Sequence, residues 1–61
     1  MPFITVKMLE GRTDEQKRAL CEKVTQAVSE TSGAPVERIS VYIEEMSKDN
    51  FSTSGVRESD K

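Results

Sequence analysis

A long helical pattern lies between two short strand patterns, and the 61 residues of the chain leave room for little else. Thr13 with Gln16 three residues later is a capping-box signal for a helix start, and Gly33 is typical of the position just beyond a helix end. Between these signals apolar side chains recur at helical spacing, at Leu20, Val24, Ala27, Val28 and Thr31. The pattern predicts one helix over residues 14–32 with a single apolar stripe.

The segments on either side of this helix have the alternating pattern of strands. The apolar faces are Ile4, Val6 and Met8 in residues 3–9, and Ile39, Val41 and Ile43 in residues 39–46. A strand, a long helix and a second strand form a β-α-β unit, whose crossover is right-handed and whose two strands are parallel. The opposite face of the first strand is only half polar, which suggests contact with another subunit.

The C-terminal quarter of the chain carries weaker signals. Residues 48–50 are typical of a turn and residues 51–56 of an extended stretch, and together they predict a short hairpin. We expect residues 57–61 to be frayed. The predicted fold class is α/β (α+β), with a single domain over residues 1–61 that contains two parallel strands, one long helix and a short C-terminal hairpin.

The chain is too small to bury a large core by itself, since a domain of this size buries only about 60% of the surface of its unfolded chain. The single cysteine, Cys21, excludes an intrachain disulfide, and the absence of histidine leaves no plausible metal-binding set. A two-stranded parallel sheet with one helix also has open edges and an uncovered face. We therefore expect oligomerisation to complete the fold.

The charge pattern narrows the class of partner. Nine basic and eleven acidic residues are well mixed, for a net charge of −2, so no basic patch is available to follow a nucleic-acid backbone. No apolar run approaches the length of a membrane span, and the N-terminus lacks a signal-peptide pattern. The sequence predicts a cytoplasmic protein that binds neither nucleic acid nor membrane.

Pro2 follows the initiator methionine, which aminopeptidases usually remove when the next residue is as small as proline. Removal would leave a secondary amine at the chain terminus, a base that no side chain provides. An α-amino group titrates at about 7.7–8, and an apolar wall with a nearby cation would lower its pKa towards neutrality, where a base works best. Phe3, Ile4 and Arg12 are available for this purpose. Taken alone, however, a proline at this position more often has no role.

Other chemical groups have ordinary explanations when each is taken alone. Cys21, at the edge of the apolar stripe, fits a small buried hydrophobe better than a nucleophile. Glu44 and Glu45 point to opposite faces of a strand, which favours solvation or an intersubunit ion pair over an acid–base pair. Arg12 is more typical of a surface turn than of an anion site. Without histidine, neither a Ser-His-Asp nor a Cys-His arrangement is possible.

In combination these segments resemble the 4-oxalocrotonate tautomerase family along nearly the whole chain. The matching stretches are Pro2 after Met1, Leu9 to Lys17, Gly33-Ala34-Pro35, Ile43 to Met46, and Phe51. The resemblance implies a homo-oligomeric β-α-β enzyme, a hexamer built as a trimer of dimers, that uses no metal and no cofactor. It also implies that Pro2 is the general base and acid that moves a proton along a small 2-hydroxydienoate such as 2-hydroxymuconate.

The resemblance further implies which residues bind a small carboxylate substrate. Arg12 matches an arginine that binds a substrate carboxylate, and Phe51 matches an apolar wall that keeps the pKa of the proline low. Ser40 departs from the family pattern, in which an arginine at the start of the second strand interacts with the 2-hydroxyl or ketone oxygen. Arg38 is a candidate partial substitute, because strand parity would place it on the face of Ser40, about 6.6 Å back along the strand.

Two other functions stay open at this point. One is a related activity of the same superfamily, either tautomerisation of phenylenolpyruvate or hydrating dehalogenation of a haloacrylate, because Ser40 leaves an oxyanion without its cation. The other is a non-catalytic oligomeric module that kept the scaffold and an anion pocket. A free amine at Pro2 would favour the enzymatic functions over the non-catalytic one.

If Pro2 is the base, the mature protein begins at Pro2, and residues added ahead of it abolish activity while folding and assembly persist. The reason is that an amide nitrogen has no basic lone pair. Mass spectrometry of the N-terminus and an assay of an N-terminally tagged form test this prediction. Full activity in the tagged protein, or in protein that retains Met1, would exclude the proline base.

Overall fold

The computed structural model describes all 61 residues of the chain. Its strands and helix are β1 (Phe3–Leu9), α1 (Asp14–Ser32), β2 (Ser40–Met46), β3 (Ser52–Thr53) and β4 (Val56–Arg57), and short 3₁₀ turns lie at Val36–Arg38, Lys48–Asn50 and Glu58–Asp60. The predicted β-α-β unit with a short C-terminal hairpin is confirmed. None of the helices combines the length and the apolar character that crossing a membrane requires.

The helix α1 begins and ends where its local signals predict. The Thr13 side chain accepts a hydrogen bond from the Gln16 N–H at 3.1 Å, and the Gln16 side chain accepts one from the Thr13 N–H at 2.9 Å. At the other end Gly33 is left-handed, with φ of 81°, and its N–H donates to the Ser29 carbonyl. These contacts satisfy backbone groups that lack partners within the helix, so the boundaries are determined locally.

Strand β1 pairs in parallel with β2 over seven residues, with Phe3 opposite Ser40 at the start and an unbroken register to the end. β1 has the predicted bounds, whereas β2 begins at Ser40 and not at Ile39. The residues before it form a 3₁₀ turn, and the Ile39 N–H donates to the Val36 carbonyl of that turn. Because this N–H is used in the turn, it does not take part in the sheet.

Alternation along the two strands places one set of side chains under α1. These half-buried side chains are Ile4, Val6, Met8, Val41 and Ile43. The half-buried side of the helix contains Leu20, Cys21, Val24, Thr25 and Val28. The predicted stripe is therefore wrong at Ala27 and Thr31, which are exposed, and positions 21 and 25 are half-buried in their place.

The other face of the sheet has no cover within the chain. On this face Phe3 is 69% exposed and Tyr42 is 54% exposed. No residue of the chain is buried, and the Cα radius of gyration is 14.5 Å, against about 10.5 Å for a compact domain of this length. A single chain therefore lacks a core, and we expect association with other chains to bury its apolar side chains.

The C-terminal segment is structured to its last turn. β3 and β4 pair antiparallel, and a 3₁₀ turn follows them. The Arg57 guanidinium lies 3.1 Å from an Asp60 carboxylate oxygen, and the Glu58 N–H donates to the Phe51 carbonyl at 2.8 Å. The expectation that residues 57–61 fray is wrong, because these contacts connect the end of the chain back to the start of the hairpin.

We expect the chain to be oligomeric at micromolar concentration, and we expect Tyr42→Asp to lower both the oligomer mass and the Tm. A carboxylate at this position would be buried without a partner when the uncovered face is covered, which costs several kcal/mol. Static light scattering and thermal melts at several concentrations measure the two effects. Ala19→Asp, which adds a carboxylate at an exposed helix position, is the control. A folded monomer with a Tm independent of concentration would contradict this account.

Candidate active site

Pro2 lies half-buried just ahead of β1, and the sheet fixes its backbone. Its carbonyl accepts a hydrogen bond from the Ser40 N–H at 3.1 Å, which extends the parallel pairing by one step. Met1 is 87% exposed, so the bond that joins it to Pro2 lies at the surface. The sheet therefore holds the proline in a fixed place, behind one solvent-accessible methionine.

Ser40 and Arg38 lie at the same end of the sheet as Pro2. Alternation directs the Ser40 side chain to the uncovered face with Phe3, and the Pro2 ring to the helix-covered face with Ile4. Arg38 is exposed in its 3₁₀ turn and makes no ion pair within the chain. The strand parity used to place Arg38 on the face of Ser40 does not apply, because Arg38 lies in a 3₁₀ turn, whose side chains do not alternate as in a strand.

Arg12 lies at the far end of the sheet, in the turn between β1 and α1. The turn depends on Gly11, whose φ of 120° is rarely adopted by other residues. Arg12 is exposed and forms no ion pair within the chain. It lines a cavity of about 130 Å³ together with Met8, Gln16, Lys17 and Leu20. The cavity offers an uncompensated guanidinium next to apolar side chains, which suits an organic carboxylate.

An ion pair between α1 and β2 borders this cavity. Lys17 Nζ lies 3.1 Å from Glu45 Oε1 and 3.9 Å from Asp14 Oδ1. Glu45 has an ion-pair partner in its own chain, 28 residues earlier, and needs no intersubunit one, while its side chain stays 35% exposed to solvent. Sequence reasoning missed the pair, although parity in β2 places Glu45 on the helix-facing side, where a lysine of α1 is the nearest available cation.

Phe51 also lies at the end of the sheet that carries Arg12. β2 runs parallel to β1, so its last residue lies opposite Leu9, and the chain reaches Phe51 after one 3₁₀ turn. The side chain is half-buried, and the carbonyl accepts the hydrogen bond from Glu58. The hairpin and the final turn thus hold Phe51 beyond the end of the sheet opposite to the proline.

The predicted site residues form two groups at opposite ends of the sheet. We call one the proline end, with Pro2, Arg38 and Ser40, and the other the arginine end, with Arg12 and Phe51. β1 spans seven residues, so the two ends are about 20 Å apart. One chain alone does not bring the base and the guanidinium together, so Arg12 of the same chain is not the cation beside Pro2.

A second cavity, of about 430 Å³, lies between α1 and the first 3₁₀ turn and is lined by Cys21, Glu22, Thr25, Gln26 and Val36. Cys21, which we expected to be a small buried hydrophobe, is half-buried in its wall. The chain has no cluster of three or more His, Cys, Asp or Glu side chains that could hold a metal ion. Of the two cavities, the one at the arginine end is lined by cationic side chains.

Comparison with known proteins places the sequence among tautomerases. The profile of the family described as tautomerase enzyme matches residues 2–61. A 2-hydroxymuconate tautomerase of Bacillus subtilis is 67% identical over 60 residues, which cover 98% of this chain and 97% of that protein. A probable tautomerase of Bacillus cereus is 69% identical over 61 residues, the whole of both chains.

Solved structures share the fold as well as the sequence. YwhB, a homologue of 4-oxalocrotonate tautomerase, is 65% identical with a TM-score of 0.96 over 98% of each chain. A heterohexamer 4-oxalocrotonate tautomerase from Chloroflexus aurantiacus is 25% identical, with a TM-score of 0.93 over 97% of this chain and 95% of that one. A structure concerned with trans-3-chloroacrylic acid dehalogenase activity is 45% identical, with a TM-score of 0.82 over 92% and 97%. The chain therefore belongs to the 4-oxalocrotonate tautomerase family of the tautomerase superfamily, and it is an enzyme of the isomerase class.

Proposed function

We propose that the chain is a tautomerase of small 2-hydroxydienoates such as 2-hydroxymuconate, and that Pro2 is its general base and acid once Met1 is removed. The observation that carries the proposal is the position of Pro2, which is half-buried, hydrogen-bonded to Ser40 and preceded by one exposed residue. The activity named for the Bacillus subtilis relative supports the substrate class. The proposed reaction uses neither a metal nor a cofactor.

In this proposal the Pro2 amine performs both proton transfers. The neutral amine accepts the proton of the enol hydroxyl, the electron pairs of the conjugated system shift, and the ammonium returns the proton to a carbon further along the substrate. The product is the conjugated ketone, and the amine is regenerated without any change in the number of protons or electrons. An α-amino group titrates at about 7.7–8, close to neutral pH, which suits a group that must both accept and return a proton.

We propose that Arg12 binds a substrate carboxylate and that Phe51 contributes an apolar wall next to the base. Arg12 suits this role because its guanidinium has no partner within the chain and can offer two parallel hydrogen bonds to a carboxylate. Phe51 is half-buried at the same end of the sheet. Because both lie at the arginine end, each would act on a substrate held at the Pro2 of another subunit.

Two chains that lie side by side in opposite directions would bring the proline end of each against the arginine end of the other. A twofold axis repeats this contact, so one pair of chains would have two equal sites. The uncovered sheet face, with Phe3 and Tyr42, is then available for contacts between pairs. We propose a homohexamer, a trimer of dimers, of about 41 kDa from six chains of 6.8 kDa, and the Chloroflexus relative supports the number of chains.

Ser40 favours a second candidate function. A serine offers no positive charge to an oxygen on which negative charge develops, and one lost contact of this kind costs about 2.7–4 kcal/mol of barrier. Arg38, exposed at the same end, is our candidate for a partial substitute. If it does not compensate, tautomerisation of phenylenolpyruvate or hydrating dehalogenation is the alternative, and the dehalogenase structure supports the latter. Membership of an enzyme family counts against a non-catalytic module.

We expect Arg12→Ala to raise the KM for 2-hydroxymuconate about tenfold to a hundredfold, because a hydrogen bond to a charged group contributes about 1.5–3 kcal/mol. The limb of the pH profile that reports Pro2 should persist. Ultraviolet assays of the trimmed protein on 2-hydroxymuconate and phenylenolpyruvate measure both.

Arg18→Ala is the matched control, since Arg18 is exposed on α1 and does not line the cavity. An equal KM for Arg12→Ala and wild type would show that the carboxylate binds elsewhere. Turnover of phenylenolpyruvate without turnover of 2-hydroxymuconate would favour the alternative substrate class.

A further inference from the structure

The segment that carries Arg12 is fixed on both sides by backbone hydrogen bonds. Before it, the Glu10 N–H donates to the Met46 carbonyl at 2.9 Å, which joins the turn to the end of β2. After it, the capping box of Thr13 and Gln16 closes the first turn of α1. These contacts fix the backbone at each flank, but neither of them sets the distance between α1 and the sheet beside the cavity.

A third contact spans the gap between α1 and the sheet beside the cavity. The Lys17 side chain crosses from α1 to Glu45 on β2 at 3.1 Å, and Glu45 lies opposite Met8 in the sheet register. The side chains of Lys17 and Glu45 are only 28% and 35% exposed, whereas that of Asp14, the other partner of Lys17, is 86% exposed. A partly buried pair is less screened by water and salt than an exposed one, so Glu45 is the dominant partner.

The same ion pair determines the charge of the cavity. Met8, Arg12 and Lys17 all line it, and the Lys17 ammonium is already compensated by two carboxylates. The Arg12 guanidinium has no such partner within the chain. The cavity thus contains one compensated cation, which joins two elements, and one uncompensated cation, which is available to an anion.

We propose that Lys17 and Glu45 are positioning residues for Arg12. Their ion pair holds the start of α1 against the end of β2 and thereby directs the Arg12 guanidinium at the carboxylate of the substrate, without touching the substrate itself. This inference rests on the proposed function, because it assigns Arg12 to the carboxylate. Lys17 and Glu45 would thus contribute to substrate specificity without contact with the substrate.

Direct binding of the carboxylate by Lys17 is the competing role, and the two roles predict opposite effects of Glu45→Gln. If Lys17 is a ligand, removal of the Glu45 charge frees its ammonium and the affinity for a carboxylate increases. If Lys17 and Glu45 position Arg12, the same change loosens α1 and the affinity decreases. Gln has the shape of Glu and hydrogen-bonds Lys17 more weakly, so the fold is little disturbed.

The experiment compares Glu45→Gln, Lys17→Met and Lys17→Arg with wild type, with Asp14→Asn as the control that removes the exposed partner of the same ammonium. The probes are 2-hydroxymuconate for KM and kcat, and trans,trans-muconate, a dicarboxylate without the 2-hydroxyl group, for Kd by titration calorimetry. We expect Glu45→Gln and Lys17→Met to raise KM and Kd about threefold to tenfold with kcat within about twofold. Lys17→Arg and Asp14→Asn should remain within about twofold of wild type in all three parameters.

The Arg12→Ala background supplies the decisive comparison. There Glu45→Gln should change the Kd for muconate by less than about twofold, because the positioned group is gone. Three results would overturn the inference. The first two are that Glu45→Gln raises the Kd for muconate equally in both backgrounds, or lowers it in the wild-type background. The third is a loss of affinity in Lys17→Arg as large as that in Lys17→Met. The expected Kd pattern without turnover of 2-hydroxymuconate would support the positioning role and refute the proposed function. Wild type that does not bind muconate would overturn both.

Discussion

The parallel pairing of β1 with β2 determines how the other parts of the molecule are arranged. It begins with the hydrogen bond from the Ser40 N–H to the Pro2 carbonyl and ends with the one from the Glu10 N–H to the Met46 carbonyl. Parallel strands share a direction, so the segments that follow β1 and β2 leave the sheet at the same end. The first of these segments carries Arg12 and the second carries Phe51, whereas the N-terminus lies at the opposite end. The sheet that fixes the proline therefore also separates it from the arginine.

The same sheet explains why this small chain needs partners. One helix covers one face of two strands, and no residue is buried as a result. Phe3 and Tyr42 remain on the uncovered face, where a monomer would leave these large apolar side chains in contact with water. Association would then both bury apolar surface and bring the two ends of neighbouring sheets together, so that stability and catalysis depend on the same contacts.

The sequence predicted the parts of the fold that local contacts determine. The bounds of α1 agree with prediction because the capping box and Gly33 complete their hydrogen bonds within a few residues. β2 starts one residue late because a 3₁₀ turn, which has no strong sequence signal, takes up the Ile39 N–H. The prediction that the tail frays is wrong because the contact between Glu58 and Phe51 spans a hairpin whose strands are only two residues long, too short to give a clear sequence pattern.

The sequence offers candidate residues for the site but not their arrangement. Pro2, Arg12 and Phe51 could be named from the resemblance, whereas their separation into two ends required the register of the sheet. Strand parity does not place Arg38, because it lies in a 3₁₀ turn whose side chains do not alternate. The pair of Lys17 and Glu45 was missed because the crossover, and no local pattern, brings residues 28 positions apart into contact.

In the proposed assembly each site combines the proline end of one chain with the arginine end of another, and mixed oligomers test this arrangement. One variant has an extra residue ahead of Pro2, and the other has Arg12→Ala. Each alone should have low activity at low substrate concentration. The two variants are then mixed, unfolded and refolded together. In random twofold pairs half contain both chains, and one of the two sites in each of these is intact, so activity should return to about a quarter of wild type. Activity of the mixture no greater than the average of its two components would show that each site is contained in one chain.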